Sequence, residues 1–417
     1  MRLSAYFCFR AFVAKQKINI MQSAYIIDGV RTPIGKYGGK LATIRPDDLV
    51  AVVIKALVDR NPSMDVNLLE DVIIGDSNQA GEDCRDVARM GALLAGLPVS
   101  VGGNTVNRLC ASGMQAVMDA ARAIMCGEGM FYIAGGVESM TRAPFIIPKS
   151  KGAYSRDVEM VDSTIGWRLT NKKLAALYHP YNMGETAENI ANQWGISREA
   201  QDLFALQSQK KYAAALAVGK WDDELVPVPL SDNLNPTYFT KDEQPRNTSL
   251  ERLAALRPAF VANGSVTAGN SSHINDGASA LLLASGEAVK LFNLKPLARV
   301  SSMAIAGVHP NIMGIGPVPA TQKALKRAGL SINDMDITEL CEAFSVQCLA
   351  CIKDLGLNED TINPNGGSIA IGNPLGSTGS RIVGTLIHEM KRTKTKYGLA
   401  TMCVGVGQGA AMIFEGC

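Results

Sequence analysis

The chain has 417 residues, 47% of them hydrophobic and 19% charged, enough for two ordinary domains around a substantial buried core. Lys and Arg total 41 against 39 Asp and Glu, a net charge of +2. That balance excludes the basic surplus of a nucleic-acid binder and the polybasic face of a membrane-surface protein, and no run of about 18 uncharged apolar residues predicts a transmembrane helix.

Residues 1–20 carry Arg2, Arg10, Lys15 and Lys17 and no acid. This N-terminal extension has two readings: a short mitochondrial-type presequence, or a stretch upstream of a start at Met21. We favour the second, and a cytoplasmic location is the expectation, with the mitochondrial one as its alternative. From there Ala24–Asp28 predicts a strand, Pro46–Asp59 a helix from its apolar spacing of three and four, and Asp71–Gly75 a strand. Asp86–Ala95 and Gly113–Cys126 read as helices and Met130–Ala134 as a strand. Such alternation predicts an α/β sheet covered on both faces.

Between about Thr141 and Thr267 the pattern changes. Charges accumulate, and Pro148, Pro180, Asn233, Asn235 and Pro236 interrupt it. One long helix, Arg198–Val218, stands out of what reads as an inserted, loop-rich subdomain. The alternation then resumes, with strands at Ala280–Leu283, Ala298–Val300, Ile337–Leu340 and Leu399–Val404 and helices at Pro319–Ala328, Ser345–Lys353 and Arg381–Lys391. The 40 glycines cluster at 135–136, 264–277, 366–367, 372–379 and 405–409, which suits turns at positive φ and close approach of a ligand to the main chain. Gly405-Val406-Gly407 has the look of a dinucleotide fingerprint, but only ten residues follow it, too few for a βαβ unit.

Nine cysteines without regular spacing do not make a disulfide framework in a chain this long, so a reducing compartment is expected. Cys348 and Cys351, separated by two residues in a helix-like run with no second pair nearby, read as buried thiols and not as a zinc site. Cys84 and Cys126 read as packed or incidental thiols. Of the four histidines, His179 falls in the insert, His309 in a loop and His388 on a helix face.

The strongest local signal is Asn107-Arg108-Leu109-Cys110-Ala111-Ser112-Gly113-Met114-Gln115-Ala116. Cys110 stands just ahead of a long apolar-periodic helix among small residues, where free N–H groups and the helix dipole favour a thiolate. This segment resembles the nucleophile motif of the thiolase family. Gly135-Gly136-Val137-Glu138-Ser139-Met140-Thr141 resembles the family's second signature, and Thr267-Ala268-Gly269-Asn270-Ser271-Ser272 with Asn275-Asp276-Gly277-Ala278 a third. Asn363-Pro364-Asn365-Gly366-Gly367, Gly372–Gly379 and Cys403-Val404-Gly405-Val406-Gly407-Gln408-Gly409 complete the set in order. Ala80-Gly81-Glu82-Asp83 and the ending around Cys403 are most similar to the β-ketoadipyl-CoA branch.

The resemblance implies two similar mixed-sheet α/β halves packed as αβαβα layers. Residues 21–141 with 268–295 would form an N-terminal thiolase domain, 142–267 an inserted CoA-binding loop domain, and 296–417 a C-terminal thiolase domain. It implies ping-pong acyl transfer, with Cys110 attacking a thioester or a 3-ketoacyl-CoA to give an acyl-cysteine. Cys403 would be the second acid/base, and the N–H groups of Cys110 and Gly405 would stabilise the oxyanion. Met183, Ala268, Ser272, Ala343 and Phe344 would line the pantetheine path. Acyl-CoA and CoA are the implied partners, with CoA a substrate, no cofactor and no metal, and a homodimer or homotetramer is implied.

Three positions depart from the family pattern. The usual Gly-His-Pro reads Gly372-Asn373-Pro374, the usual Asn-Glu-Ala-Phe reads Cys341-Glu342-Ala343-Phe344, and the glycine after Ser272 is His273. An amide cannot accept a proton near pH 7, so Asn373 can donate a hydrogen bond but cannot act as a base. A thiol at Cys341 would hold the water of the oxyanion hole poorly. His273 is either a relocated base or a histidine lining the pantetheine channel, and Glu342 an orderer of its loop. The chain is therefore expected to be an acyl-CoA C-acyltransferase, impaired by these changes. The alternative is a non-catalytic or altered-reaction thiolase homologue that binds CoA or acyl-CoA.

Overall fold

A computed structural model of the protein describes residues 22–150, 152–231 and 237–417, so the N-terminal extension and Asn233, Asn235 and Pro236 lie outside the described residues. The strands are β1 (Ala24–Arg31), β2 (Gly35–Lys36), β3 (Leu69–Gly75), β4 (Gly102–Val106) and β5 (Phe131–Ser139), then β10 (Asn275–Ser285), β11 (Ala298–Gly307), β12 (Ile337–Leu340), β13 (Tyr397–Val404) and β14 (Gln408–Gly416). Between them lie two two-residue ribbons, β6 (Phe145–Ile146) with β7 (Val161–Asp162) and β8 (Val228–Pro229) with β9 (Tyr238–Phe239). The main sheet runs β12-β13-β14-β11-β1-β10-β5-β3-β4, with β2 attached to β10.

The sheet is mixed and its two halves repeat one pattern. In the first, β3 is parallel to β4 and β5, then β10 and β1 follow antiparallel. In the second, β12 is parallel to β13, then β14 and β11 follow antiparallel. The halves meet where β1 pairs with β11, through Tyr25 with Arg299 and Ile26 with Ala298.

Alternation along the strands sets the layers, because successive side chains leave opposite faces. Leu281 and Leu283 point into a central core with helices Ser112–Cys126 and Leu375–Thr393, and Ala410 and Met412 reach the same core from the other half. Leu282 and Ala284 point the other way, onto Leu49, Val53 and Leu57 of helix Pro46–Arg60. Ala411 and Ile413 meet Ala320 and Ala324 of helix Pro317–Ala328. Helix, half-sheet, helix pair, half-sheet and helix give the expected αβαβα order.

The central helix Leu375–Thr393 is buried along almost its whole length, which its small residues allow. Gly376 lies against the carbonyls of Val137 and Gly75, and the hydroxyl of Ser279 on β10 meets those of Ser377 and Ser380 at 2.9 and 2.7 Å. The glycine pair 135–136 is no turn, contrary to the sequence expectation. β5 runs straight through it, and a side chain on Gly136 would overlap the Gly376 carbonyl. What approaches these glycines is neighbouring backbone.

Segment 142–267 holds the helices Lys172–Leu177, Met183–Trp194, Arg198–Ala217 and Leu250–Ala254 besides the ribbons. It is tied to β1 by the buried Arg31, which bonds Asp242 at 2.7 Å, pairs with Glu224 and lies over the Trp221 ring. Burial makes such a pair costly to break from one side only. Among the described residues no helix is long and apolar enough to cross a membrane.

Candidate active site

The turn from β4 into helix Ser112–Cys126 carries the candidate nucleophile. Leu109 sits at φ +48°, a left-handed conformation uncommon outside glycine. It is held there by local polar contacts. The Leu109 N–H donates to Asn107 Oδ1 at 2.8 Å, while Ser112 Oγ accepts from the Arg108 N–H at 2.9 Å and donates to the Leu109 carbonyl at 2.6 Å. Cys110 thereby stands two residues before the helix, 8% exposed, with the Gly405 N–H and its own N–H directed at the sulfur.

Its electrostatics reverse the sequence expectation. Burial pushes the Cys110 thiol up, the nearby Glu138 carboxyl adds to this, and the two N–H groups only partly offset it. Desolvation of the thiolate outweighs the helix terminus, so the resting sulfur is protonated.

Two more thiols share its electrostatic surroundings. Cys341 and Cys403 are each 2% exposed, and a charge on Cys110 acts on both. Burial pushes Cys341 up to about 12 and Cys403 well above its ordinary range. The Cys341 sulfur lies 3.8 Å from Ser368 Oγ, which accepts from Arg381 Nη2 at 2.7 Å. With that lone pair engaged, the Ser368 proton is free for the sulfur. Cys348 donates to the Cys341 carbonyl at 3.6 Å and Cys351 to that of Gly314 at 3.4 Å, so both belong to the packing of helix Ser345–Leu355.

Asn373 follows Gly372, whose φ of +116° and contacts with Ile34 and Asn275 leave no room for a side chain. The Asn373 N–H donates to Asn275 Oδ1 at 2.9 Å, Thr378 Oγ1 donates to Asn373 Oδ1 at 2.7 Å, and Asn373 Nδ2 donates to Ser272 Oγ at 3.0 Å. Thr378 Oγ1 also reaches the Pro374 carbonyl at 3.0 Å, and its single proton serves one of the two oxygens. The amide is thus held between two hydroxyls, those of Thr378 and Ser272.

The remaining candidates gather round these groups. Ser272 N–H donates to the Ala343 carbonyl at 2.9 Å, and Ser271 pairs with Phe344. Glu342 turns inward and accepts from Ser208 Oγ at 2.7 Å, Asn363 Nδ2 at 2.8 Å and the Ile369 N–H at 3.0 Å, so it orders its loop. Met183 opens helix Met183–Trp194, and its sulfur and Leu109 both lie over Gly405. Phe344 packs edge-on to Phe260, and Ala268 is exposed, its carbonyl 3.5 Å from Arg246 Nη2.

His273 is apart from this network. Its Nδ1 is buried without a partner, and burial first, then Arg246 and Lys36, push it down to about 4. Of the other histidines, His388 is buried and its Nε2 meets the Gly29 carbonyl at 2.8 Å, while His179 is exposed. Sequence reasoning missed Thr378, Ser368 and Arg381. Thr378 lies inside the quoted Gly372–Gly379 motif, four residues after Pro374, which was the available signal. Among the described residues no group of three His, Cys, Asp or Glu side chains is placed to hold a metal ion.

This layered fold, with Cys110 ahead of a central helix and Cys341 and Cys403 at the ends of β12 and β13, is that of the thiolases, and the chain belongs to the thiolase family. The family model for the thiolase N-terminal domain matches residues 24–287, and that for the C-terminal domain residues 294–416. The 3-oxoadipyl-CoA/3-oxo-5,6-dehydrosuberyl-CoA thiolase of Escherichia coli K12 is 53% identical over 399 residues, 95% of this chain and 100% of that protein. A beta-ketoadipyl-CoA thiolase of Acinetobacter baylyi is 52% identical, with the same coverage. Among solved structures, the Bacillus anthracis acetyl-CoA acetyltransferase superposes with a TM-score of 0.90 at 40% identity, covering 96% of this chain and 100% of that one. Human mitochondrial 3-ketoacyl-CoA thiolase in complex with CoA gives 0.89 at 38% identity, covering 95% and 99%.

Proposed function

We propose that the protein is an acyl-CoA C-acyltransferase that makes or cleaves 3-ketoacyl-CoA through an acyl-cysteine on Cys110. One observation carries the reading: Cys110, 8% exposed, receives the Gly405 N–H and shares its electrostatic surroundings with the Cys341 and Cys403 thiols. In cleavage the Cys110 thiol would give its proton to water, for want of a side-chain base, its sulfur would add to the 3-keto carbon, and the Cys110 and Gly405 N–H groups would take up the negative charge on oxygen. Cys403 would protonate the departing acyl-CoA enolate, and the CoA thiol would then collect the acyl group. Met183, Ala268, Ser272, Ala343 and Phe344 would guide the pantetheine, and segment 142–267 would close over the CoA. The coenzyme is a substrate, and the assembly would be a homodimer or homotetramer.

The slow point is proton removal from Cys110. Burial disfavours the thiolate, and Asn373, where the family resemblance expects histidine, cannot accept a proton near pH 7. Such a base is typically worth about 10²–10⁴ in rate, so turnover is expected to be reduced by that order. A second reading, a CoA-binding homologue without turnover, draws on the same two observations.

The experiment is direct. After incubation with acetyl-CoA, mass spectrometry of the Cys110 peptide should show a single acetyl group, and 3-oxoadipyl-CoA with CoA should lose its 3-ketothioester absorbance. An unmodified Cys110 peptide together with zero turnover would leave the binding reading in possession.

A further inference from the structure

We propose that Arg381, held beside Cys341 by Ser368, is the buried positive charge that offsets the negative charge formed at Cys110 during acyl transfer. It is a positioning residue for the reaction proposed above, and it rests on that reading for where the charge develops.

Arg381 lies in the first half of helix Leu375–Thr393, buried at 2% exposure, and among the described residues it forms no ion pair. Its Nη1 is shut off from solvent without a hydrogen-bond partner, while Nη2 donates to Ser368 Oγ at 2.7 Å. A cation buried in this way is costly, and an anion forming nearby offsets the cost. Ser368 Oγ in turn stands 3.8 Å from Cys341 Sγ, so a single hydroxyl separates the guanidinium from a thiol of the site. Burial pushes Cys341 up to about 12, and Arg381 is the foremost influence against it. Cys341 and Cys110 pack into one apolar interior, where a charge is felt further than it would be in water.

The carboxyls of this interior do not cancel the charge. Glu339 stands two residues before Cys341, and the Cys341 N–H prolongs the ladder of β12 by donating to the Thr401 carbonyl at 3.0 Å, so both side chains leave the same face. Burial lifts Glu339 to about 8 against the pull of Arg381, which leaves it largely uncharged at pH 7. The other acids that act on Glu339 are Glu342, Glu224 and Glu389, and each is engaged elsewhere. Glu342 accepts from Ser208, Asn363 and the Ile369 N–H, Glu224 pairs with Arg31, and Glu389 pairs with Lys220 and Arg392. Beside Cys110 itself, Glu138 opposes a thiolate. Arg381 thus acts in the opposite sense to the acids around the site, favouring the anion that the reaction must form.

Alkylation of Cys110 by iodoacetamide reports its ionisation and needs no turnover, which keeps the test apart from the acyl-transfer reading. In the full-length protein, mass spectrometry of the tryptic peptide 109–122 follows the modification as a function of pH. Arg381→Met should move the pH profile up by about one unit, read as about tenfold slower modification at pH 8, whereas Arg381→Lys keeps the charge and should stay within about threefold of wild type. Equal rates in wild type and Arg381→Met overturn the proposal. A loss in Arg381→Lys as large as in Arg381→Met also overturns it, by making the guanidinium a packing element. Should Arg381→Met fail to fold, Glu339→Gln carries the test. At pH 9 the wild-type Glu339 is ionised and neutralises Arg381, so the variant should be alkylated about threefold faster there and at the wild-type rate at pH 6. Identical rates at both pH values overturn the proposal. The expected dependence on Arg381 in a protein that never takes an acetyl group from acetyl-CoA would uphold the counter-charge while the acyl-transfer reading fell.

Discussion

The side-chain amide of Asn373 is committed before any substrate arrives. The hydroxyls of Thr378 and Ser272 hold its two ends, and an amide accepts no proton near pH 7. Asn373→His should therefore raise kcat/KM for 3-ketoacyl-CoA thiolysis by about 10²–10⁴, read from loss of the 3-ketothioester. An unchanged rate would mean that an imidazole at 373 does not reach the Cys110 proton. Cys341→Asn should add a smaller gain, about tenfold or less, by restoring a strong donor where a thiol now stands. The departures at 341 and 373 were legible in the sequence, because a residue's capacity to accept a proton is a property of its type. The pairing of the amide with Ser272 was not, since that residue is 101 positions away. Nor was the protonated state of Cys110 legible: spacing places a cysteine before a helix, but it does not give the depth of burial that overrides the helix terminus.

Elements were legible where apolar periodicity was strong, as in the helices Pro46–Arg60 and Ser112–Cys126 and the strands β1, β3 and β12. β4 escaped notice because Gly102-Gly103-Asn104-Thr105 is polar and half-exposed, and β14 because it opens on Gln408-Gly409-Ala410-Ala411 with no β-branched residue. Both owe their conformation to a partner strand, and pairing across long separations leaves no local trace. The glycines of β5 and of helix Leu375–Thr393 carry a different burden, the contact between backbones. Gly376→Ala should destabilise the fold by about 1–3 kcal/mol, because its methyl would overlap the Val137 carbonyl. A lowered denaturant midpoint at unchanged m-value is the expected result, and a midpoint equal to wild type would show that the helix can shift aside.

At the scale of the molecule, stability should decline with rising pH. Burial lifts Glu339 from an ordinary 4.5 to about 8 and Glu138 to about 7, and Glu339 Oε1 has no partner. Both carboxyls bind their proton more tightly folded than unfolded. Their contribution is thus complete below about pH 4.5 and is lost as pH climbs through 7 and 8. Glu339→Gln, which cannot ionise, should flatten that decline and gain on the order of 1–3 kcal/mol at pH 9. Thermal midpoints of the two proteins between pH 5 and 9 would show it, and parallel curves would count against it.

The seam between the half-sheets has its own consequence. Strands β1 and β11 join through two residue pairs, while helices Ser112–Cys126 and Leu375–Thr393, one from each matched family domain, share a single apolar interior. Severed near residue 295, each fragment would carry half of an unfinished centre turned toward water. The pieces should behave as obligate companions, precipitating when made separately and recovering one sharp melting transition when made together.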